Sequence, residues 1–101
     1  MVELTMRAVV PAYVLIRHLD GESVLLNLES ERYFGLDATG TRMWELATSE
    51  PTIALAFEEL QEEYEVEPET LRDHLTQLLS GLVENGLLQV LPADVGTTPT
   101  I

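Results

Sequence analysis

The sequence predicts an α+β domain in which a three-stranded antiparallel sheet is followed by three helices, an order that suits a winged helix-turn-helix arrangement. Two observations predict it. Residues 13–36 are rich in strand-forming residues and are divided by short polar turns. From residue 37 to residue 86 the apolar residues instead recur at the 3.6-residue spacing of helices. Strands in one half and helices in the other favour a sheet that helices cover on one face.

Three segments account for the predicted sheet. Tyr13–Leu19 forms the first strand, and Asp20-Gly21 follows as a hairpin turn because both residues tolerate a positive φ. Ser23–Leu28 returns antiparallel to the first strand, and residues 31–36 form the third. As the last strand of a small sheet, this third strand is expected to leave one edge unpaired, where another strand can add.

Capping residues and prolines mark the three predicted helices. Asp37 can cap a first, short helix that begins near Ala38. Ser49-Glu50-Pro51 combines a capping hydroxyl with a first-turn proline and predicts the start of the second. The third helix opens at Glu67-Pro68-Glu69 and ends at Asn85-Gly86, a typical C-cap pair. Its apolar stripe comprises Leu71, Leu75, Leu78, Leu79, Leu82 and Val83.

The two ends of the chain are less regular. Residues 1–12 contain Ala8-Val9-Val10 before Pro11, which suits a lead-in segment that pairs at a sheet edge and stops at the proline. Leu87–Leu91 is apolar and forms either a short last strand or a packed coil. From Pro92 onward the sequence is typical of a disordered tail. The expected organisation is therefore one domain over residues 1–91 and a tail over residues 92–101.

Composition excludes several classes of function. The chain has 101 residues, and its net charge of -13 comes from 18 acidic against 5 basic residues. This charge disfavours nucleic acid as a partner, because affinity for phosphates depends on Lys and Arg. The absence of cysteine excludes disulfides and thiol nucleophiles and suits a reducing cytoplasm. Neither a signal peptide nor a membrane span is visible, so a cytoplasmic protein without membrane contact is expected.

Few residues suggest catalysis. His18 and His74 do not stand at metal-binding or triad spacing, and both are expected on the surface. The serines lack the G-x-S-x-G context of a nucleophile elbow, and no glycine-rich phosphate loop is present. We therefore expect no enzyme activity, no metal and no cofactor. Residues 58–69 contain seven glutamates and no Lys or Arg, which favours a solvated helix face and leaves a docking face for a basic partner open.

The third strand and the third helix together suggest a peptide-binding groove. Tyr33 and Phe34 are neighbours on a strand, so one should enter the core while the other faces the open side. The leucine stripe of the third helix is wider than the roughly 100° that packing on one surface needs. The surplus would form one wall of a groove and the third strand the other. An extended peptide could add to the strand edge there.

A family resemblance supports this interpretation. The segment from Leu25 to Asp37, with Thr39-Gly40 and Met43-Trp44-Glu45-Leu46 after it, resembles the PqqD-like family of precursor-peptide recognition elements in ribosomal peptide pathways. The resemblance spans roughly residues 13–90, and the form of the third strand is most similar to the standalone proteins of lasso-peptide clusters. The closing pattern of the third helix is similar as well, in Leu78-Leu79, Leu82-Val83 and Gly86-Leu87-Leu88.

The resemblance implies a function and a site. It implies a non-catalytic adaptor that binds the leader of a lasso precursor as an added strand and presents it to a cysteine-protease-like leader peptidase. One departure concerns the helix: where the family commonly has an aspartate before an apolar residue, this chain has His74 before Leu75, with Asp73 one place earlier. The leader-binding residues implied are Arg32, Tyr33, Phe34, Gly35, Leu36, Leu71, His74, Leu75 and Leu78.

Two other functions compete with the adaptor. A winged-helix transcriptional regulator, or a module acting through protein contacts, would suit the same order of elements, but DNA binding needs a basic recognition helix and the third helix offers only Arg72. A small enzyme ranks last. The unpaired strand edge and the apolar groove also leave homodimer formation open when no peptide is bound.

Overall fold

The computed structural model describes residues 2–93, and within them it places three helices and two antiparallel sheets. The α+β class and the predicted three-stranded sheet are confirmed. Residues 94–101, which hold most of the predicted tail, lie outside the described residues. The elements are β1 (Met6–Val9), β2 (Val14–Leu19), β3 (Glu22–Asn27), β4 (Arg32–Leu36), α1 (Ala38–Ser49), α2 (Ile53–Glu63), α3 (Pro68–Glu84) and β5 (Gln89–Pro92).

The sheets have different origins in the chain. Strands β2, β3 and β4 form a meander in the order β2-β3-β4. Strands β1 and β5 pair only with each other, with Met6 opposite Pro92 and Val9 opposite Gln89. The amino-terminal segment therefore joins a second sheet instead of the edge of the first, and the segment after α3 resolves as a strand. Because Pro92 belongs to β5, the prediction of a tail that starts at Pro92 was wrong at its first residue.

One apolar core joins the inner face of the three-stranded sheet to the helices. Leu25 of β3, Ile53 and Leu60 of α2 and Leu75 of α3 are all fully buried in it. Alternation along the strands gives the sheet one buried face, as expected for an antiparallel sheet covered on one side. Among residues 2–93, no helix combines the length and the apolar character needed to cross a bilayer.

Helix boundaries follow local capping chemistry. The Asp37 carboxylate accepts a hydrogen bond from the Gly40 N–H at 2.7 Å, which confirms the predicted start of α1. For α2 the predicted cap was wrong: Ser49 is the last residue of α1, and Thr52 caps α2 by accepting from the Leu55 N–H. Thr52 lies after Pro51 in extended backbone, so its hydroxyl can reach the first free N–H groups. Helix α3 begins at Pro68, as predicted.

The side chain of Asn27 fastens the sheet to the end of α3. Its Nδ2 donates to the Gly86 carbonyl at 3.1 Å, and its Oδ1 accepts from the N–H groups of Glu29 and Ser30 at 2.9 and 3.1 Å. Asn27 is only 5% exposed, so these bonds satisfy a buried amide. One residue thus shapes the β3–β4 turn and holds it against the carboxyl end of α3.

A second polar link holds the other end of β3. The hydroxyls of Ser23 and Thr41 lie 2.7 Å apart, and both residues are buried. The Thr41 hydroxyl also approaches the carbonyl of Leu36, the last residue of β4, at 3.5 Å. Strand β3 is therefore joined to α1 at one end and to α3 at the other, which fixes the orientation of the sheet on the helices.

We expect Gly86→Ala to lower the free energy of unfolding by about 1–2 kcal/mol or more, because L-residues pay this much in the left-handed region. Gly86 has φ +73, and a Cβ there would stand 2.9 Å from Asn27 Nδ2, so the Asn27 link would also be displaced. Gly81→Ala is the matched control, since this α3 glycine has open space at the Cβ position and should gain up to about 1 kcal/mol. Urea denaturation measures both, and equal stability of Gly86→Ala and wild type would contradict the expectation.

Candidate peptide-binding site

The register of the sheet fixes which backbone groups bond to which neighbour. Asp20-Gly21 has φ values of 53 and 83, as in a two-residue type I′ turn, which makes Leu19 and Glu22 a hydrogen-bonded pair. Such pairs recur at every second residue. The Leu28 N–H donates to the Tyr13 carbonyl at 2.9 Å and continues the same series. The even-numbered residues of β3 therefore direct their N–H and C=O groups to β2.

This alternation identifies the free backbone groups of β4. The odd-numbered residues of β3 direct their N–H and C=O groups to β4, and their partners are Arg32, Phe34 and Leu36. The N–H and C=O groups of Tyr33 and Gly35 consequently point away from β3. Within residues 2–93, β4 has β3 as its only strand neighbour. We call this unpaired side of β4 the free edge.

The side chains of β4 divide between the two faces of the sheet, as predicted. Phe34 is half-buried and packs against the core, whereas Tyr33 is 76% exposed on the opposite face. Leu36 is buried, and Arg32 and Gly35 are exposed. Of the predicted strand residues, Tyr33 and Gly35 combine an exposed position with main-chain groups on the free edge. The direction of those groups follows from the register and could not be assigned before the pairing was known.

The predicted residues of α3 differ in accessibility. Leu71 and Leu75 are 3% and 0% exposed and belong to the core, so they offer almost no surface to a ligand. His74 is exposed and Leu78 is half-buried. These two residues are four positions apart and therefore adjacent on one side of the helix. The accessible part of the predicted helix wall is thus His74 and Leu78, with the two leucines packed beneath the surface.

Two cavities lie elsewhere on α3. One of about 410 Å³ is lined by Val2 and by residues between Thr76 and Glu84. A smaller one of about 100 Å³ is lined by Val2, Val90 and the same end of α3. Neither includes a residue predicted from the sequence to bind a ligand. Neither cavity is therefore the groove predicted between the third strand and α3.

The glutamate-rich segment is a mostly exposed surface with one cross-helix ion pair. Arg42 of α1 donates to both carboxylate oxygens of Glu63 of α2, at 2.9 and 2.6 Å, and to Glu45 at 3.2 Å. The hydrogen bonds from Arg42 hold the pKa of Glu63 below its ordinary value. A hydrogen bond with the carboxyl group of Glu50 raises the pKa of Glu59. The segment therefore fastens α2 to α1 through Glu63, and most of its other glutamates face solvent.

The chain belongs to the PqqD family, because residues 22–88 match the model of the coenzyme PQQ synthesis protein D (PqqD). The matched segment runs from the start of β3 to the residue before β5 and therefore contains β4 and all three helices. It includes every residue of the predicted site. No curated protein sequence is significantly similar to the chain.

Two solved structures share the fold. TbiB1 in complex with the TbiA(beta) leader peptide is 34% identical, with a TM-score of 0.72 over 80% of this chain and 94% of that chain. The second structure is a lasso peptide synthetase B1 complexed with the leader peptide, and its sequence is 25% identical to this chain. The match has a TM-score of 0.71 and covers 82% of this chain and 98% of that chain. Both similar proteins were therefore solved with a leader peptide bound.

We expect Leu75→Ala to lower the free energy of unfolding by about 2–5 kcal/mol, because it leaves a cavity in a closed core. Leu78→Ala should cost clearly less, since Leu78 is already half accessible to water. Urea denaturation of the two variants measures the difference. Equal losses would contradict the division of α3 into a buried row and an accessible row.

The Arg42–Glu63 pair predicts a pH-dependent contribution to stability. The pKa of Glu63 is lowered in the folded state, so its contribution is present above the unfolded value of about 4.3 and is lost as the pH falls through the folded value. Glu63→Gln should therefore lower the thermal midpoint at neutral pH, and this effect should diminish as the pH falls through the folded pKa of Glu63.

Glu62→Gln controls for the loss of one negative charge. Glu62 is exposed on the same helix, and among the described residues it makes no ion pair with an arginine. If Glu62→Gln and Glu63→Gln change the thermal midpoint equally at neutral pH, general repulsion accounts for the effect and the ion pair does not.

Proposed function

We propose that this protein is a non-catalytic adaptor that binds the leader of a ribosomally made precursor, of the lasso-peptide kind, by strand addition at the free edge of β4. The observation that carries the proposal is the free edge itself, with the main-chain groups of Tyr33 and Gly35 directed outward. The two similar structures, whose proteins are in complex with leader peptides, support it.

The free edge offers sequence-independent affinity. Tyr33 and Gly35 each present one N–H and one C=O, and each hydrogen bond contributes about 0.5–1.5 kcal/mol net. Gly35 has no Cβ, and nothing lies within 4 Å of the position a Cβ would take, so a guest backbone can approach closely there. Binding through these groups requires only that the guest be extended, which is the rule for strand addition.

Side chains of the guest provide the selectivity. Successive side chains of an added strand point to opposite faces of the sheet. Those on the inner face would lie towards the helices, where we assign contacts to His74 and Leu78. His74 replaces the aspartate of the family pattern, so an imidazole, which can donate as well as accept, would contact the leader in this protein.

The proposed adaptor would have a protein partner besides the leader. The adaptor would present the bound leader to a cysteine-protease-like leader peptidase in the cytoplasm and would need no metal or cofactor. Residues 1–91 would act as one PqqD-like recognition domain. Without a leader, the free edge could pair with that of a second copy, which leaves a homodimer open.

A winged-helix regulator that binds DNA is disfavoured. The net charge is -13, and Arg72 is the only basic residue of α3 apart from His74. Neutralising phosphates with so few cations would give weak binding at physiological salt. Tight binding of duplex DNA in a gel-shift assay would reverse this preference.

Gly35→Pro tests strand addition directly. Proline removes the Gly35 N–H from the free edge but leaves the bonds between β4 and β3 in place, and prolines are tolerated at strand edges. The affinity for the leader of the precursor encoded in the same gene cluster, measured by isothermal titration calorimetry, should fall by about tenfold or more, since 1.4 kcal/mol corresponds to tenfold.

Gly35→Ala is the matched control. Alanine keeps the N–H, and its Cβ meets open space, so the affinity should stay near that of wild type. Circular dichroism must show that both variants are folded. Wild-type affinity in a folded Gly35→Pro variant would exclude the free edge as the binding site.

A further inference from the structure

The face of the three-stranded sheet that turns away from the helices carries an apolar surface. In the register, Leu15, Leu26 and Tyr33 stand side by side across β2, β3 and β4. Leu15 and Tyr33 lie on the two edge strands and are 49% and 76% exposed, and Leu26 lies between them on the central strand. We call this surface the outer face. Its apolar residues are Leu15, Leu19, Val24, Leu26, Leu28 and Tyr33.

The middle row of the outer face is apolar on all three strands. Neighbouring strands are about 4.8 Å apart, so the row from Leu15 to Tyr33 spans about 10 Å without a polar interruption. Leu19 and Leu28, 59% and 50% exposed, lie nearer the two turns, and Arg17 stands between Leu15 and Leu19 on β2. Single exposed leucines need no explanation, but an apolar row that crosses all three strands of a sheet face is a candidate interaction surface.

Charge indicates what kind of partner fits. Arg17 is the one charged side chain within the central rows of the outer face. Acidic residues stand at both ends, with Asp20 and Glu22 at one turn and Glu29 and Glu31 at the other. A complementary partner therefore has an apolar centre, basic residues at its ends and a carboxylate opposite Arg17.

A second copy of the chain fits this surface poorly. Two outer faces packed together with their strands aligned would bring acidic ends to acidic ends, between molecules of net charge -13 each. Like charges across an interface disfavour association. The charges favour a different protein, one with basic residues around its apolar patch.

We propose that the outer face is the docking surface for the leader peptidase, an inference that rests on the proposed function. Alternate side chains of a leader added at the free edge would project from the outer face beside Tyr33. The peptidase would then contact Leu15, Leu26 and Tyr33 together with the leader itself. It would bind the loaded adaptor more tightly than the empty one, and by reciprocity it would raise the affinity for the leader by the same factor.

Leu15→Glu tests the docking surface. Leu15 lies on β2, two strands away from the free edge, so the substitution leaves the leader site intact. A carboxylate at the apolar centre should weaken binding of the purified peptidase of the same gene cluster to the leader-loaded adaptor by about tenfold or more. Arg17→Glu should weaken it as well. Leader affinity, measured separately by calorimetry, should change by less than about twofold.

Leu55→Glu is the matched control, because Leu55 is 40% exposed on α2 and lies outside the outer face. It should leave peptidase binding unchanged. Unchanged peptidase affinity of folded Leu15→Glu, or no binding of the peptidase to wild type, would overturn the proposal. Sedimentation could also overturn it. If the wild type is a dimer and Leu15→Glu is a monomer, the outer face binds a second copy of the chain and not the peptidase. If the wild-type protein does not bind the leader, the proposed function itself is overturned.

Discussion

The buried amide of Asn27 is the interaction on which the candidate site depends. It accepts from the turn that precedes β4 and donates to the carbonyl of Gly86, two residues beyond α3, so the two elements predicted to flank the peptide are linked through one side chain. Each of these hydrogen bonds contributes about 0.5–1.5 kcal/mol net, which favours the arrangement in which the turn stays against the end of α3. The Ser23–Thr41 link fixes the opposite end of the same strand. The free edge is thereby held on a rigid support, which reduces the ordering cost of binding an extended ligand.

Much of the fold could be predicted because its determinants are local. Asp20-Gly21, Asp37 and the pair Asn85-Gly86 each act on neighbouring backbone, and the three strands and the ends of α1 and α3 follow from them. The start of α2 was assigned wrongly because two hydroxyl residues, Ser49 and Thr52, flank the same proline. The choice between them depends on how far α1 continues, which packing decides.

The remaining features depend on contacts that residue order does not reveal. The pairing of β1 with β5 joins opposite ends of the chain, and neither segment is long enough to indicate its partner. The leucine stripe of α3 predicts the direction of its apolar side but not its depth of burial, so Leu71 and Leu75 could not be distinguished from Leu78. The outward direction of the Tyr33 and Gly35 main chain follows only from the register with β3.

The pairing of β1 with β5 has a consequence for how such a domain can be combined with others. Met6 lies opposite Pro92, so the first and last strands of the described residues have their outer ends side by side. Domains with adjacent ends tolerate insertion into a loop of a host protein, since the host backbone need not be stretched. A recognition unit of this topology could therefore be grafted into an unrelated enzyme at one exposed loop, with both junctions distant in sequence from β4.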